Sequence, residues 1–225
     1  MAPNVFGGMG GGIKETEDSN KPGDSNKPVN PTKPGDSNKP ENPNKPEYGN
    51  NPFTDISRGA YYFDAVLWAV DAGITDGTSA TTFSPAASCT RAQMVTFLWR
   101  AAGEPKAATA SCAFTDVDKD AYYYEALLWA VENGIINGTS ATTFSPDTTC
   151  TRGQMATFLY RSAKAPFVNG THRFADVKAD AYYNNAVIWA AAKGITAGTS
   201  DTTFSPNAAC TRGQMVTFLY RHLVN

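Results

Sequence analysis

Apolar positions in the second part of this chain recur at helical spacing inside a much longer repeat. The pattern is clearest in the middle copy, where Ala126, Leu127, Ala130 and Val131 fall on one helical face, with Asp120 placed to cap the run and Gly134 to end it. A Gly-rich turn follows over 134–140. Thr143-Phe144-Ser145-Pro146 comes next and is expected to be extended, because the residue before a proline avoids the right-handed helix. A second helix is predicted from Thr151, with Met155, Phe158 and Leu159 on one stripe. Each unit opens on Phe-Thr/Ala-Asp-Ile/Val, a short extended segment, and such segments are expected to pair at most locally.

The same plan is spelled three times. Phe53, Phe114 and Phe174 are separated by 61 and 60 residues, and the same offsets relate Trp68, Trp129 and Trp189, and Arg91, Arg152 and Arg212. Repeats of this length bury their apolar faces against one another, so the three copies are expected to form one cooperative body. The fold class is therefore mainly α, with three tandem helix-loop-helix repeats over 53–107, 108–167 and 168–225.

Upstream the pattern disappears. Residues 1–13 are Gly-rich, and 14–52 contain five hexapeptides from Asp18 to Glu47 in which Lys-Pro recurs at the same two places. With almost no aliphatic or aromatic side chain, this stretch cannot offset the entropy of ordering, and its prolines favour extended conformations. It reads as a disordered, semi-rigid linker. At about 3.1 Å per residue it would reach on the order of 90 Å when fully extended.

Composition narrows the function. The 225 residues are 41% hydrophobic and 12% aromatic, enough for a substantial core, and 19 Lys plus Arg face 21 Asp plus Glu. No polybasic surface points to nucleic acid, so charged recognition must be local. Apolar windows are short and interrupted, which excludes a membrane span. Met1 to Gly12 lack the basic start and apolar core of a signal peptide. Cys89, Cys112, Cys150 and Cys210 lack the paired spacing of a zinc site. Three of them hold the same place in each repeat, which favours small buried hydrophobes, with a bridge from Cys112 to one of the others as the alternative.

That repeated cysteine precedes Thr-Arg-x-Gln, at Thr90-Arg91-Ala92-Gln93, Thr151-Arg152-Gly153-Gln154 and Thr211-Arg212-Gly213-Gln214. Thr as cap and Gln three residues later make a capping box. The arginine then occupies the first helical position, where the helix dipole disfavours a cation by roughly 0.3–1 kcal/mol. An arginine beside free helix N–H groups is an anion site, and a planar guanidinium suits a carboxylate or phosphate. The competing reading has each arginine tie its repeat to a neighbour through a buried carboxylate such as Asp55, Asp116 or Asp176.

Phe-x-Asp-Val, Trp-Ala, Gly-Ile-x-x-Gly, Thr-Phe-Ser-Pro and Thr-Arg-Ala-Gln, in that order and in three copies, resemble the S-layer homology domain over 53–225. The resemblance implies a pseudo-threefold body whose second helices meet at the centre. It further implies grooves between repeats that bind pyruvylated secondary polysaccharide attached to peptidoglycan, hence a place at the cell surface. Where the family usually has Ile-Thr-Arg-Ala-Glu, this chain has Cys-Thr-Arg-Ala-Gln or Cys-Thr-Arg-Gly-Gln. Gln keeps the capping geometry without the charge, and Gly at the second helical position weakens that turn.

The candidate ligand-binding residues are Arg91, Arg152 and Arg212 for the anion, and Trp68, Trp129 and Trp189, which mid-helix are either core or half-buried platforms with an edge in the groove for a sugar face. Asp55, Asp116 and Asp176 either accept sugar hydroxyls or bond structurally. Gly77, Gly138 and Gly198 let backbone approach a ligand. The pairs Tyr61-Tyr62, Tyr122-Tyr123 and Tyr182-Tyr183 are divided between groove and packing. No catalytic residue, metal site or cofactor is expected, since His172 and His222 do not repeat and no nucleophile elbow, phosphate loop or metal spacing occurs. The reading is a cell-wall anchor. Its rivals are a protein–protein module for surface assembly, with self-assembly through an upstream region, and the tail of an upstream secreted enzyme.

Overall fold

Each Thr-Arg-x-Gln copy starts a helix with both halves of its capping box in place. In the computed structural model, which describes residues 49–224, the Thr90, Thr151 and Thr211 hydroxyls accept the backbone N–H of Gln93, Gln154 and Gln214, and each Gln side chain accepts the N–H of its cap. The helices so begun are α2 (Arg91–Ala101), α4 (Arg152–Ser162) and α6 (Arg212–Leu223). The first helices of the repeats are α1 (Phe63–Asp71), α3 (Tyr124–Glu132) and α5 (Asn184–Ala192), and these are the six helices of the described residues. The Gly-rich segment 1–13 and the linker expected over 14–52 lie outside the described residues, apart from 49–52.

Two local expectations need correction. Asp120 does not cap α3; Tyr123 precedes that helix without any side-chain cap bond, and the Asp120 N–H instead donates to Asp118 Oδ1 at 3.0 Å in the turn before it. Gly134 does stop the helix. At φ +65° it lets its own N–H reach Val131 O and that of Ile135 reach Ala130 O, the crossed pair that closes an α-helix. Ser145 is not extended. It takes φ +57°, and Ser84 and Ser205 take +56° and +58°, so the residue before proline escapes the right-handed helix by the left-handed region.

The helices pair between repeats. α2 packs on α3, α4 on α5 and α6 on α1, while α2 meets α4 and α6 at the centre. The first helix of each repeat thus lies on the second helix of the repeat before it, and the third repeat closes onto the first. This is the pseudo-threefold arrangement the resemblance implies. Extended residues also cross repeats, contrary to the expected local pairing. Ser88 bridges Thr211, Thr90 bridges Thr149, and Thr151 bridges Ala209; Ser79 with Thr82 is a local bridge.

At the centre three cysteines form a closed ring of backbone hydrogen bonds. Cys89 N–H donates to Cys210 O, Cys210 N–H to Cys150 O and Cys150 N–H to Cys89 O, at 2.8–2.9 Å. All three are fully buried and free, which fits small core hydrophobes, and Cys112, half-buried, is free as well. Around them the core contains Phe83, Phe144 and Phe204, Met94, Met155 and Met215, and Ile74, Ile135 and Ile195, each at matching places in the three repeats.

Candidate functional site

The helix N-termini are not free. The N–H groups of Arg91 and Ala92 donate to Thr148 O and Pro146 O, those of Arg152 and Gly153 to Ala208 O and Pro206 O, and those of Arg212 and Gly213 to Ala87 O and Pro85 O. With the capping box, every donor of the first turn is used inside the protein. The expectation of an anion site built from free helix N–H groups is therefore overturned. The guanidinium is then the charged group to account for at each helix start.

Each guanidinium is held the same way. Arg91 Nε donates to Phe144 O at 2.8 Å, Arg152 Nε to Phe204 O at 2.8 Å and Arg212 Nε to Phe83 O at 2.9 Å, so each arginine reaches the Thr-Phe-Ser-Pro segment of the next repeat round the ring. Each also lies over two phenylalanine rings of that repeat: Arg91 at 4.9 and 5.7 Å from Phe144 and Phe158, Arg152 at 4.7 and 5.4 Å from Phe204 and Phe218, Arg212 at 4.8 and 5.4 Å from Phe83 and Phe97. Cation–π contacts that are desolvated contribute about 2 kcal/mol, more than the roughly 0.3–1 kcal/mol cost of a cation at a helix start. The placement that looked unfavourable in sequence is stabilised by the neighbouring repeat.

The arginines are 2–4% exposed, and burial lowers the pKa of each, opposed by nearby acidic groups. Their tie to the neighbour runs through backbone carbonyl oxygens and aromatic faces rather than through a buried carboxylate. The aspartates serve that tie indirectly. Asp55 accepts from Phe83 N and Ser84 N, Asp116 from Phe144 N and Ser145 N, and Asp176 from Phe204 N and Ser205 N, all at 2.7–2.8 Å. They hold in place the left-handed serine and the phenylalanine whose carbonyl pins the arginine. Burial raises the Asp116 pKa, but the bonds from Phe144 and Ser145, with Arg91 beyond them, carry it below the usual carboxylate value.

The other candidates divide. Gly77, Gly138 and Gly198 are crowded from within: a Cβ would lie 2.4–2.6 Å from the Phe53, Phe114 or Phe174 ring and from the carbonyl oxygen of Thr82, Thr143 or Thr203. Trp68 and Trp129 are half-buried, whereas Trp189 is 5% exposed. Trp68 stands 5.6 Å from Tyr220, and Trp189 5.6 Å from Tyr160 and 5.1 Å from His222. Trp68 thus faces α6 and Trp189 faces α4 of the adjacent repeats, and Trp189 also meets α6 of its own repeat.

Each tyrosine pair has one exposed member and one packed against the core. Tyr61, Tyr122 and Tyr182 are exposed and stand edge-on to Tyr62, Tyr123 and Tyr183. The rings are exposed but their hydroxyl ends are partly desolvated, which raises the pKa of all three. Tyr61 lies in the field of Arg152, which also faces Asp176, so the Arg152 boundary draws on all three repeats. The phenylalanine pairs that clasp the arginines were not singled out from sequence, although their recurrence at offsets of 61 and 60 carried the signal.

The S-layer homology domain model matches residues 52–95, 113–156 and 173–216, more than half of the chain. The chain belongs to the S-layer homology domain family. Members of that family are cell-wall anchoring modules, and this chain is a cell-surface, cell-wall-associated one. It is 33% identical over 180 residues to the Surface-layer 125 kDa protein of Lysinibacillus sphaericus, covering 78% of this chain and 15% of that protein. Over 111 residues it is 33% identical to an Endoglucanase of Bacillus sp. (strain KSM-635), covering 49% of this chain and 12% of that protein. The S-layer homology chain thus spans a small fraction of the length of the curated relatives it matches. No helix of the described residues is long and apolar enough to cross a membrane.

Proposed function

We propose that the three repeats form a non-covalent anchor that binds an anionic, pyruvylated secondary cell-wall polysaccharide attached to peptidoglycan, in the grooves between repeats. The observation that carries this reading is the fixed arginine at each boundary, with Nε tied to a backbone oxygen and the guanidinium plane clasped by two rings. Such a group is preorganised to meet a carboxylate with its outer amino groups. Arg91, Arg152 and Arg212 contact the anion, Trp68 and Trp129 offer sugar-facing edges, and Asp55, Asp116 and Asp176 position the loops. Three boundaries on one body make attachment multivalent, which slows release without demanding high affinity of any one.

Repeats 53–107, 108–167 and 168–225 make up the anchor, and the Lys-Pro linker over 14–52 separates it from whatever it carries. The similarity to a surface-layer protein and to an endoglucanase supports a cargo that assembles at the surface or acts there as an enzyme. A pull-down on purified cell-wall sacculi tests the anchor, before and after the attached polymer is stripped. Wild type is expected to bind intact sacculi and to lose them on stripping. Arg91→Lys, Arg152→Lys and Arg212→Lys combined, folded by circular dichroism, is expected to bind weakly. Retention on stripped sacculi would point to peptidoglycan or a protein receptor instead.

A further inference from the structure

The three arginines share one anchor but not one environment. Arg91 Nη2 donates to Asn137 O at 2.8 Å, and Arg212 Nη2 reaches the Thr75 hydroxyl at 3.5 Å. Arg152 Nη2, buried to the same degree, has no hydrogen-bond partner. Ala197 O is the counterpart of the oxygen that satisfies Arg91, and here it is taken by another residue. Arg173 Nη2 donates to Ala197 O at 2.9 Å and Arg173 Nε to Asp201 O at 2.8 Å. The Thr196 hydroxyl, counterpart of Thr75, accepts from Gly198 N–H as Thr75 does from Gly77 N–H, but unlike Thr75 it receives no arginine. Arg173 is exposed and stands where repeats 1 and 2 have Pro52 and Ala113. Its guanidinium lies 5.4 Å from the Phe174 ring.

We propose that Arg173 makes the boundary between repeats 2 and 3 the primary carboxylate site, by withholding Ala197 O from Arg152 and by adding a second guanidinium at the same turn. This rests on the carboxylate-binding reading above. A buried donor without a partner costs free energy that a ligand oxygen recovers, whereas a ligand at Arg91 must first displace Asn137 O. The Arg212 boundary is disfavoured differently, since the facing turn bears the exposed carboxylate of Asp76. The order of affinity is therefore Arg152 first, with Arg91 and Arg212 behind by at least about fivefold.

Nitrogen-15 NMR of the arginine side chains, titrated with a methyl glycoside bearing a pyruvate ketal and with the same glycoside lacking it, tests this. In wild type the Arg152 resonances are expected to move at least about fivefold earlier in the titration than those of Arg91 and Arg212. Arg173→Ala, an exposed change, is expected to abolish that lead. Ala113→Arg, which copies the arrangement into repeat 2, is expected to bring Arg91 forward. Arginines that respond together in wild type, or Arg173→Ala behaving as wild type, would overturn the ranking while leaving the carboxylate reading standing. If no arginine responds to the ketal, or both glycosides act alike, the carboxylate reading falls and the ranking with it.

Discussion

The backbone N–H of Cys89 donates to the carbonyl of Cys210 across 2.8 Å, joining the first repeat to the last by the same bond that joins successive repeats. Helix α6 on α1 and Arg212 on Phe83 repeat the relationship outside the centre. In a linear array the terminal repeats have one neighbour, and unfolding can begin there. Here every repeat has two.

Unfolding is therefore expected to be a single transition. Three variants, each keeping only Trp68, Trp129 or Trp189 with the other tryptophans replaced by phenylalanine, should give coincident urea midpoints by fluorescence and by far-UV circular dichroism. Midpoints that separate would show repeats melting one at a time.

The central thiols should be inert. Burial pushes the Cys89 and Cys210 thiols up from 9.0 to about 12 and raises that of Cys150 further, with neighbouring thiols adding to the shift at Cys89 and Cys150. The thiolate is the nucleophile, so iodoacetamide at pH 8 is expected to modify Cys112 alone in the folded protein and all four cysteines in urea. These raised values also fix a sign. The folded protein keeps protons that the unfolded chain releases, so this contribution to stability is intact below pH 9 and is lost as pH rises from 9 toward 12. The raised values of Tyr61, Tyr122 and Tyr182 act in the same direction from pH 10 upward. Urea midpoints that stay level from pH 8 to 10.5 would contradict this.

What could be read from sequence was local or recurrent. Thr90 with Gln93 is legible because a capping box is complete within four residues, and Gly134 because helix stops need only a left-handed residue. Asp120 misled because a carboxylate near a helix start looks like a cap, and the 118–121 turn that takes it out of position has no distinct signature. The route of Arg91 to Phe144 was hidden, since nothing within one repeat states which neighbour it will meet or that a carbonyl will be the acceptor. Arg173 is illegible for the opposite reason: it does not recur, with Pro52 and Ala113 at its place in the other repeats, so no periodic signal marks it.

Glycines of two kinds should respond differently to alanine. Gly77 has φ +89°, and a Cβ there would lie 2.5 Å from the Phe53 ring and 2.6 Å from Thr82 O. Gly77→Ala is expected to destabilise by about 2 kcal/mol or more, from backbone strain and displaced packing together. At Gly153 a Cβ would lie 3.0 Å from Tyr183 Cδ1 and 3.1 Å from Pro206 O. Repeat 1 already has Ala92 there, with its N–H bond to Pro146 O at 3.0 Å against 2.8 Å for Gly153 to Pro206 O. That small retreat offsets the gain in helix propensity, so Gly153→Ala should change stability by less than about 0.5 kcal/mol. Thermal or urea denaturation of the two variants separates them.

Asp116 should govern both a loop and its arginine. Asp116→Ala leaves the N–H groups of Phe144 and Ser145 without their acceptor, a loss of roughly 1–2 kcal/mol given the partial exposure of the pair. Because Phe144 O is the acceptor of Arg91 Nε, the variant should also loosen that guanidinium, visible as faster exchange of its Nε proton by NMR. The lowered Asp116 pKa gives a stabilising contribution that is present above pH 3.8 and disappears as pH falls below it. Asp116→Ala should therefore lose less stability than wild type on acidification through that range, and equal losses would refute the assignment.

The tryptophans at one repeat position should part company in binding. Trp189 is 5% exposed, with its indole packed against Tyr160 and His222, which leaves almost no surface for a sugar ring. Trp68 and Trp129 retain partly accessible surface at the same point of their repeats. A stacking platform requires an accessible face, so the two half-buried indoles are the ones a polymer can cover. In the single-tryptophan variants, polymer released from sacculi should reduce acrylamide quenching of Trp68 and Trp129 and leave Trp189 unchanged. Trp189→Phe should bind sacculi within about twofold of wild type, since its packing against Tyr160 survives as an aromatic contact. Protection of Trp189 by polymer, or none at Trp68 and Trp129, would show that the sugar does not use the indoles in this way.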